Sequence, residues 1–220
     1  MLVSHNFRFI LFKDPLGACP WISSGLAPWL DQPVAPDITS SGEVTLFDGM
    51  TPKEAELAFD IMALDFHRYA RIALVRNPYS KMSELYDRIA ATDRIWQLRR
   101  RLGAADPDFG RWLRSTSPDG NGAGHRTSPR WRRFGSWSIS AWCEDLVTHV
   151  VRAEYARADL TRVFADLDLS PAFGADVQDA PTHLPRRHHY DGAAQALMRD
   201  RYGPDLKLYD DFTPDLFRVA

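Results

Sequence analysis

The stretch Ile72-Ala73-Leu74-Val75-Arg76-Asn77-Pro78-Tyr79-Ser80-Lys81-Met82-Ser83-Glu84-Leu85-Tyr86 decides the fold class. It opens with a short continuous apolar run, the pattern of a strand buried on both faces. Asn77-Pro78 then breaks the strand, because proline brings no N–H to a ladder and restricts the residue before it. A helix is predicted from about Ser80 to Ala91. Working outward, Phe7 to Phe12 is short, apolar and aromatic and predicts a buried strand that is first in chain order, with Ile72 to Val75 the second, and Leu146 to Val151 predicts a third. Val44 to Phe47 reads as a further short strand. Helices are expected over Ile22 to Leu30, roughly Arg94 to Leu102, Asp108 to Arg114, Asp159 to Leu167, and Ala193 to Tyr209. The clearest helix start is Thr51: an N-cap threonine, Pro52 at the first position, and Glu54 closing a capping box. Its apolar face is Ala55, Ala58, Phe59, Met62 and Phe66. Strands alternating with helices predict an α/β protein, with a mainly parallel central sheet covered by helices on both faces.

The 220 residues suffice for one domain with a sizeable core, and residues 1–220 read as a single domain. Residues 115–130, poor in apolar side chains and rich in Gly, Ser and Pro, read as a mobile loop within it. A net charge of -2 gives no global field that points to nucleic acid or a membrane as partner. Cys19 and Cys143 are too few for a disulfide framework, and no CxxC pair suggests a metal site. The apolar run Phe9 to Phe12 is too short for a signal peptide or a membrane span, so a cytoplasmic protein is expected. The basic residues are nearly all arginine; the lysines are Lys13, Lys53, Lys81 and Lys207. Arginine grips carboxylates, phosphates and sulfates bidentately, which suits anionic partners.

Ligands of open α/β sheets bind beyond the carboxyl ends of the strands. Three places follow. The loop after the first predicted strand carries Lys13, Gly17 and Ala18. The turn after the second carries Arg76, Asn77 and Ser80 to Ser83. The segment after the third carries Arg152 and Glu154. Small residues, backbone N–H groups and a cation are what a phosphate needs. None of these loops is a Walker A loop or a dinucleotide fingerprint. Arg76 also fits an ion pair with a helix carboxylate, and Glu154 fits a structural pair with Arg152 or, like Asp48, a base for an acceptor proton. Arg186, Arg187, His188 and His189 form the densest polar cluster: two anion ligands and a candidate base, or a solvated loop. His67 fits a capping or core position. Arg94, Arg99, Arg100 and Arg101 share one helix, while Arg130, Arg132 and Arg133 flank Trp131 and Trp137. Both sets suit anions and sugars, or a solvated face.

The segment Leu74-Val-Arg-Asn-Pro-Tyr-Ser-Lys-Met-Ser-Glu-Leu-Tyr86 resembles the one by which carbohydrate-type sulfotransferases bind the 3′-phosphate of PAPS. Ser4-His5-Asn6-Phe7-Arg8-Phe9-Ile10 resembles the opening strand of bacterial members. Phe109-Gly-Arg-Trp112-Leu113, Val150-Val-Arg152-Ala-Glu154, Leu184-Pro185-Arg186-Arg187 and Tyr202-Gly-Pro-Asp205-Leu-Lys-Leu-Tyr209 resemble later segments of the family, in order. The resemblance implies a three-layer, P-loop-like sulfotransferase fold. It also implies transfer of a sulfuryl group from PAPS to a hydroxyl of a carbohydrate or small-molecule acceptor. Lys13 with Gly17 and Ala18 would hold the 5′ end of PAPS or PAP. Arg76 with Ser80 or Ser83 would hold the 3′-phosphate, with Arg186 and Arg187 as further anion ligands. A histidine, His188 or His189, or else Asp48, would be the base. Three positions depart from the family. Leu16 stands where the family's first-loop lysine is expected, followed by Pro20 and Trp21. Asp48-Gly49-Met50 replaces a histidine before the Thr51 helix. Glu84 replaces a serine beside the 3′-phosphate. These departures imply the alternative of a sulfotransferase-fold binding or scaffold protein that has lost the chemistry or taken another ligand.

Overall fold

The computed structural model describes residues 1–13, 20–35, 46–103, 108–118, 138–143, 145–169, 176–180 and 190–210. The chain forms two compact units, residues 1–76 with 142–182 and residues 77–141 with 183–220. Most of the expected 115–130 loop lies outside the described residues.

The first unit is a mixed, mostly parallel four-stranded sheet flanked by helices, an α/β architecture. The strands are β1 (Leu2–Ser4), β2 (Phe9–Lys13), β3 (Ala70–Val75) and β4 (His149–Arg152), in the order β1-β2-β3-β4. β1 runs antiparallel to β2, and β2, β3 and β4 run parallel. Phe9, Ile10, Leu11 and Phe12 are all fully buried, as a strand covered on both faces requires. Alternation along the strands divides the core. Phe9, Leu11, Ile72, Leu74 and Val151 pack with Ile22 and Leu26 of α1 (Pro20–Leu26) and with Leu160, Val163 and Phe164 of α7 (Ala156–Asp166). From the other face Phe12 meets Phe66 at 6.5 Å and Trp142 at 6.0 Å. Phe66 lies in a 3-10 turn (Phe66–Arg68) and meets Phe59 of α2 (Pro52–Ile61) at 5.6 Å. Each fully buried aromatic or aliphatic side chain contributes about 1.5–3 kcal/mol. Gly25 sits where α1 crosses residues 176–177: a Cβ there would come within 2.7 Å of the Val177 backbone nitrogen.

The capping box forms as the sequence predicts. Thr51 Oγ1 accepts from the Glu54 N–H at 3.1 Å, and the Thr51 N–H donates to Glu54 Oε2 at 2.9 Å. The first predicted strand is corrected at its start. Phe7 lies in a turn, and β1, not foreseen, pairs back onto β2. The tie that holds this hairpin is remote in sequence. The Asp31 carboxylate accepts from the N–H groups of His5 at 2.7 Å and Asn6 at 2.8 Å. His67, for which a capping or core place was open, is exposed; it bridges Glu56 at 3.0 Å and Arg71 at 3.1 Å. Of the short strand expected at 44–47, Phe47 makes an isolated parallel bridge to Ala35, while residues 44 and 45 lie outside the described residues.

The second unit is helical where it is described. α3 (Pro78–Thr92) packs against α4 (Arg94–Arg101), α5 (Phe109–Arg114) and α8 (Gly192–Asp210), and α5 packs against α8. Asn77 caps α3, its Oδ1 accepting from the N–H groups of Tyr79 at 3.0 Å and Ser80 at 3.3 Å, with Pro78 in the first turn. Tyr86, Phe109, Trp112 and Tyr190 form an aromatic cluster of edge-on and tilted rings, with Phe109 and Tyr190 centroids 4.9 Å apart. α8 is kinked at Tyr202. No local signal marks α6 (Ile139–Cys143), because its support comes from α8. Buried Asp205 accepts from Ser138 Oγ and Ser140 Oγ at 2.6 Å, and from the N–H groups of Ile139 and Ser140 at 2.9 Å. Asp205→Ala strips four donors of one acceptor. It is expected to cost about 3 kcal/mol in urea unfolding, whereas Lys207→Ala, on the same helix, is expected to change stability little.

Candidate functional site

Three parallel strands deliver a cation to one edge of the sheet. β2 ends in Lys13, β3 is followed by Arg76, and β4 ends in Arg152. The three basic residues stand at the same end of adjacent strands but in stagger: Lys13 is level with Leu74, Arg152 with Val75, and Arg76 is one residue further on. This is the carboxyl edge, where the topology rule places ligands.

Each cation meets a carboxylate. Lys13 Nζ lies 3.3 Å from Asp48 Oδ1 and 3.4 Å from Ser23 Oγ on α1. Two of the predicted catalytic residues are therefore brought together. Asp48 is placed by the turn that leads to the Thr51 cap, and it also pairs with the ammonium group of Met1. Burial pushes the Asp48 carboxyl up, but the ammonium charge, its hydrogen bond and Lys13 outweigh burial and hold it below the usual carboxylate range. A base works best with a pKa near the working pH, so this setting favours Asp48 as a holder of Lys13 rather than a proton acceptor.

The buried Arg76 side chain faces the equally buried Glu154, with Nε 3.9 Å from Oε1. That separation is outside hydrogen-bond range, so this contact is Coulombic. Glu154 was expected to pair with Arg152; the structure corrects this. Arg152 is taken by Asp159 in the first turn of α7, Nε to Oδ2 at 2.7 Å and Nη2 to Oδ1 at 2.8 Å, while the Arg152 N–H donates to Oδ2 at 3.0 Å. Arg162 adds a bond to Oδ1 at 2.6 Å, and the Arg152 guanidinium lies over the Tyr155 ring at 4.6 Å. The physical reason is reach. The 3-10 turn Ala153–Tyr155 brings the first turn of α7 back onto the end of β4, in fork-to-fork geometry with the guanidinium. Asp159 also suits the positive end of the helix.

In the second unit, Ser80 and Ser83 are buried on α3. Ser83 Oγ donates to the Tyr190 hydroxyl at 3.4 Å, which itself donates to the Tyr79 carbonyl at 2.6 Å. Burial raises the Tyr190 pKa above its ordinary value, which keeps this donor protonated. Ser83 thus has a neighbour the sequence did not suggest. Glu84 pairs with Arg88 one turn away at 2.6 Å. Gly17, Ala18, Arg186, Arg187, His188 and His189 lie outside the described residues. Among the described residues, no group of three His, Cys, Asp or Glu side chains is arranged to hold a metal ion.

Asp159 and Ser23 were the contributors missed from sequence. Asp159 carried a usable signal, an acidic residue in the first turn of the helix that follows a basic strand end. Ser23 carried none. No protein-family model matches the chain, and neither a curated protein nor a solved structure matches it.

Burial also pushes Asp159 up, but its hydrogen bonds to Arg152 and the charges of Arg152 and Arg162 leave its pKa below the ordinary 3.8. A lowered folded-state pKa stabilises the fold above the unfolded-state value, and that stability is lost as pH falls through the folded value. Asp159→Asn is therefore expected to cost about 3–5 kcal/mol at neutral pH, because it leaves Arg152 buried without its countercharge. It should also flatten the loss of stability below about pH 4. Urea unfolding across the acid range checks both.

Proposed function

We propose that the chain is a divergent sulfotransferase-like protein with the three-layer, P-loop-like fold of that family. In this reading it binds PAPS at the carboxyl edge of the sheet and passes the sulfuryl group to a hydroxyl of a carbohydrate or small-molecule acceptor. The observation that carries the proposal is the row of Lys13, Arg76 and Arg152 at the ends of adjacent parallel strands. The ordered sequence resemblance around Arg76 and Arg152 supports it.

The fit of a polyanion to this edge can be judged from charge. Lys13, Arg76 and Arg152 meet Asp48, Glu154 and Asp159, so the three cations face three carboxylates. Arg152 is bound most firmly and is structural. The Lys13 and Arg76 contacts, at 3.3 and 3.9 Å, are the ones an incoming anion could replace. The resemblance adds Arg186 and Arg187 as further anion ligands. PAPS supplies the sulfuryl group; the bond from sulfur to the 5′-phosphate oxygen breaks as the bond to the acceptor oxygen forms. Lys13, once the donor has taken the place of Asp48, stabilises charge on the departing phosphate, with the Ser23 hydroxyl 3.4 Å away to position it. Arg76, with Ser80 or Ser83, takes the 3′-phosphate. By the resemblance, the acceptor proton would go to a histidine, His188 or His189.

A second reading has its own observation: the charge balance of the strand edge. A protein that kept the fold and lost the chemistry would keep these ion pairs as structure, and Leu16, Pro20, Trp21 and Glu84 fit it. Calorimetric titration with PAP at low salt separates the two. Donor binding predicts a saturable micromolar isotherm, weakened about tenfold or more by Lys13→Ala and by Arg76→Gln. Circular dichroism would confirm that each variant is folded. The absence of any heat of binding for the native chain would support the second reading.

A further inference from the structure

Helix α4 presents two faces of different chemistry. Trp96 packs against Tyr86 of α3 with ring centroids 5.5 Å apart. Gln97 Nε2 donates to the Ala91 carbonyl at 2.8 Å, and Arg100 donates to the Ala90 carbonyl. These residues hold α4 on α3. With about 100° between successive residues, the opposite arc carries Leu98 and, one turn later, Leu102. Arg94 and Arg101 run along one side of that stripe and Arg99 along the other. Leu98 is 55% exposed and Leu102 is 77% exposed, and the three arginines are exposed. The helix has no acidic residue, and among the described residues no carboxylate pairs with Arg94, Arg99 or Arg101. Asp93, just before it, is turned onto the helix start, where its Oδ1 accepts from the Trp96 N–H at 3.1 Å.

We propose that α4 lies flat on an anionic phospholipid surface, with Leu98 and Leu102 in the acyl boundary and Arg94, Arg99 and Arg101 on the headgroup phosphates. Charge complementarity selects this occupant. The face is wholly cationic around an apolar stripe, and long arginine side chains reach outward from such a stripe to phosphates. Two leucines make a stripe far smaller than the roughly 1,000 Å² that a stable protein interface needs, yet enough for a reversible lipid contact. The chain's net charge of -2 does not oppose this, because attraction to a charged surface decays within about 8 Å at physiological salt and local charge decides it. The inference departs from the expectation, drawn from total charge, that no membrane is a partner. Among the described residues no helix is long and apolar enough to cross a membrane, so the contact is one of surface binding. It is independent of the PAPS proposal.

Co-sedimentation of the full chain with vesicles tests it. The native protein should pellet with phosphatidylcholine vesicles carrying phosphatidylserine and stay in solution with phosphatidylcholine alone, and added salt should release it. Leu98→Glu with Leu102→Glu should weaken binding about tenfold or more, as should Arg94→Gln with Arg99→Gln and Arg101→Gln. All five side chains are exposed, and circular dichroism would verify the fold. No pelleting with anionic vesicles would overturn the proposal, and so would equal pelleting of native and both variants. Self-association of the native chain that Leu98→Glu abolishes, without lipid binding, would assign the face to a protein partner instead.

Discussion

The bidentate contact between Arg152 and Asp159 is the constraint on which the first unit depends. It fixes the last strand of the parallel set to the first turn of the helix that covers it, through two side-chain bonds and one from the backbone. Both partners are buried, so neither charge is tolerable without the other. The same problem recurs at the neighbouring strand ends. A buried parallel strand that finishes in a cation must find an anion there, and Lys13 and Arg76 find Asp48 and Glu154. The three pairs differ in grip. The Arg152 pair is closed by hydrogen bonds on both oxygens, the Lys13 pair is a single contact, and the Arg76 pair is held by charge across 3.9 Å. In the proposed reading, the Lys13 and Arg76 contacts are the ones that a ligand anion would replace.

The second unit solves a related problem with other groups. Asp205 gathers the N–H and hydroxyl groups at the start of a five-residue helix from more than sixty positions away in sequence. Arg201, one turn earlier on α8, donates to the carbonyls of Leu113 at 3.0 Å and Thr116 at 2.6 Å, satisfying the end of α5. Two opposite charges on one helix thus complete the ends of two others. Between them the aromatic cluster of Tyr86, Phe109, Trp112 and Tyr190 fills the interior, with the Tyr190 hydroxyl satisfied by the Tyr79 carbonyl.

What was legible in the sequence was what is local. The buried strands around Ile72 and Ile10, the Thr51 capping box, the Asn77-Pro78 break and the helices at 78–92, 94–101 and 109–114 follow from periodicity, caps and proline within a few residues. What was not legible depends on distant partners. β1 is three residues long and exists because β2 pairs with it and Asp31 holds the turn between them. The short helix at Ile139–Cys143 exists because Asp205 caps it. The candidate site divides in the same way. That basic residues close the parallel strands was readable from Lys13, Arg76 and Arg152 in the sequence. Which carboxylate each would take was not, since the choice between Glu154 and Asp159 for Arg152 turns on how a 3-10 turn aims the following helix.

The central claim is that the strand edge exchanges its looser carboxylates for an anionic nucleotide. Lysine side-chain NMR tests it most directly, because the chain has only Lys13, Lys53, Lys81 and Lys207 and their signals can be told apart by substitution. On titration with PAP, the account predicts that the Lys13 ammonium signal moves progressively and saturates, while exposed Lys53 stays in place. A spectrum in which Lys13 is unmoved at saturating PAP would contradict the account and leave the Lys13–Asp48 pair as structure alone.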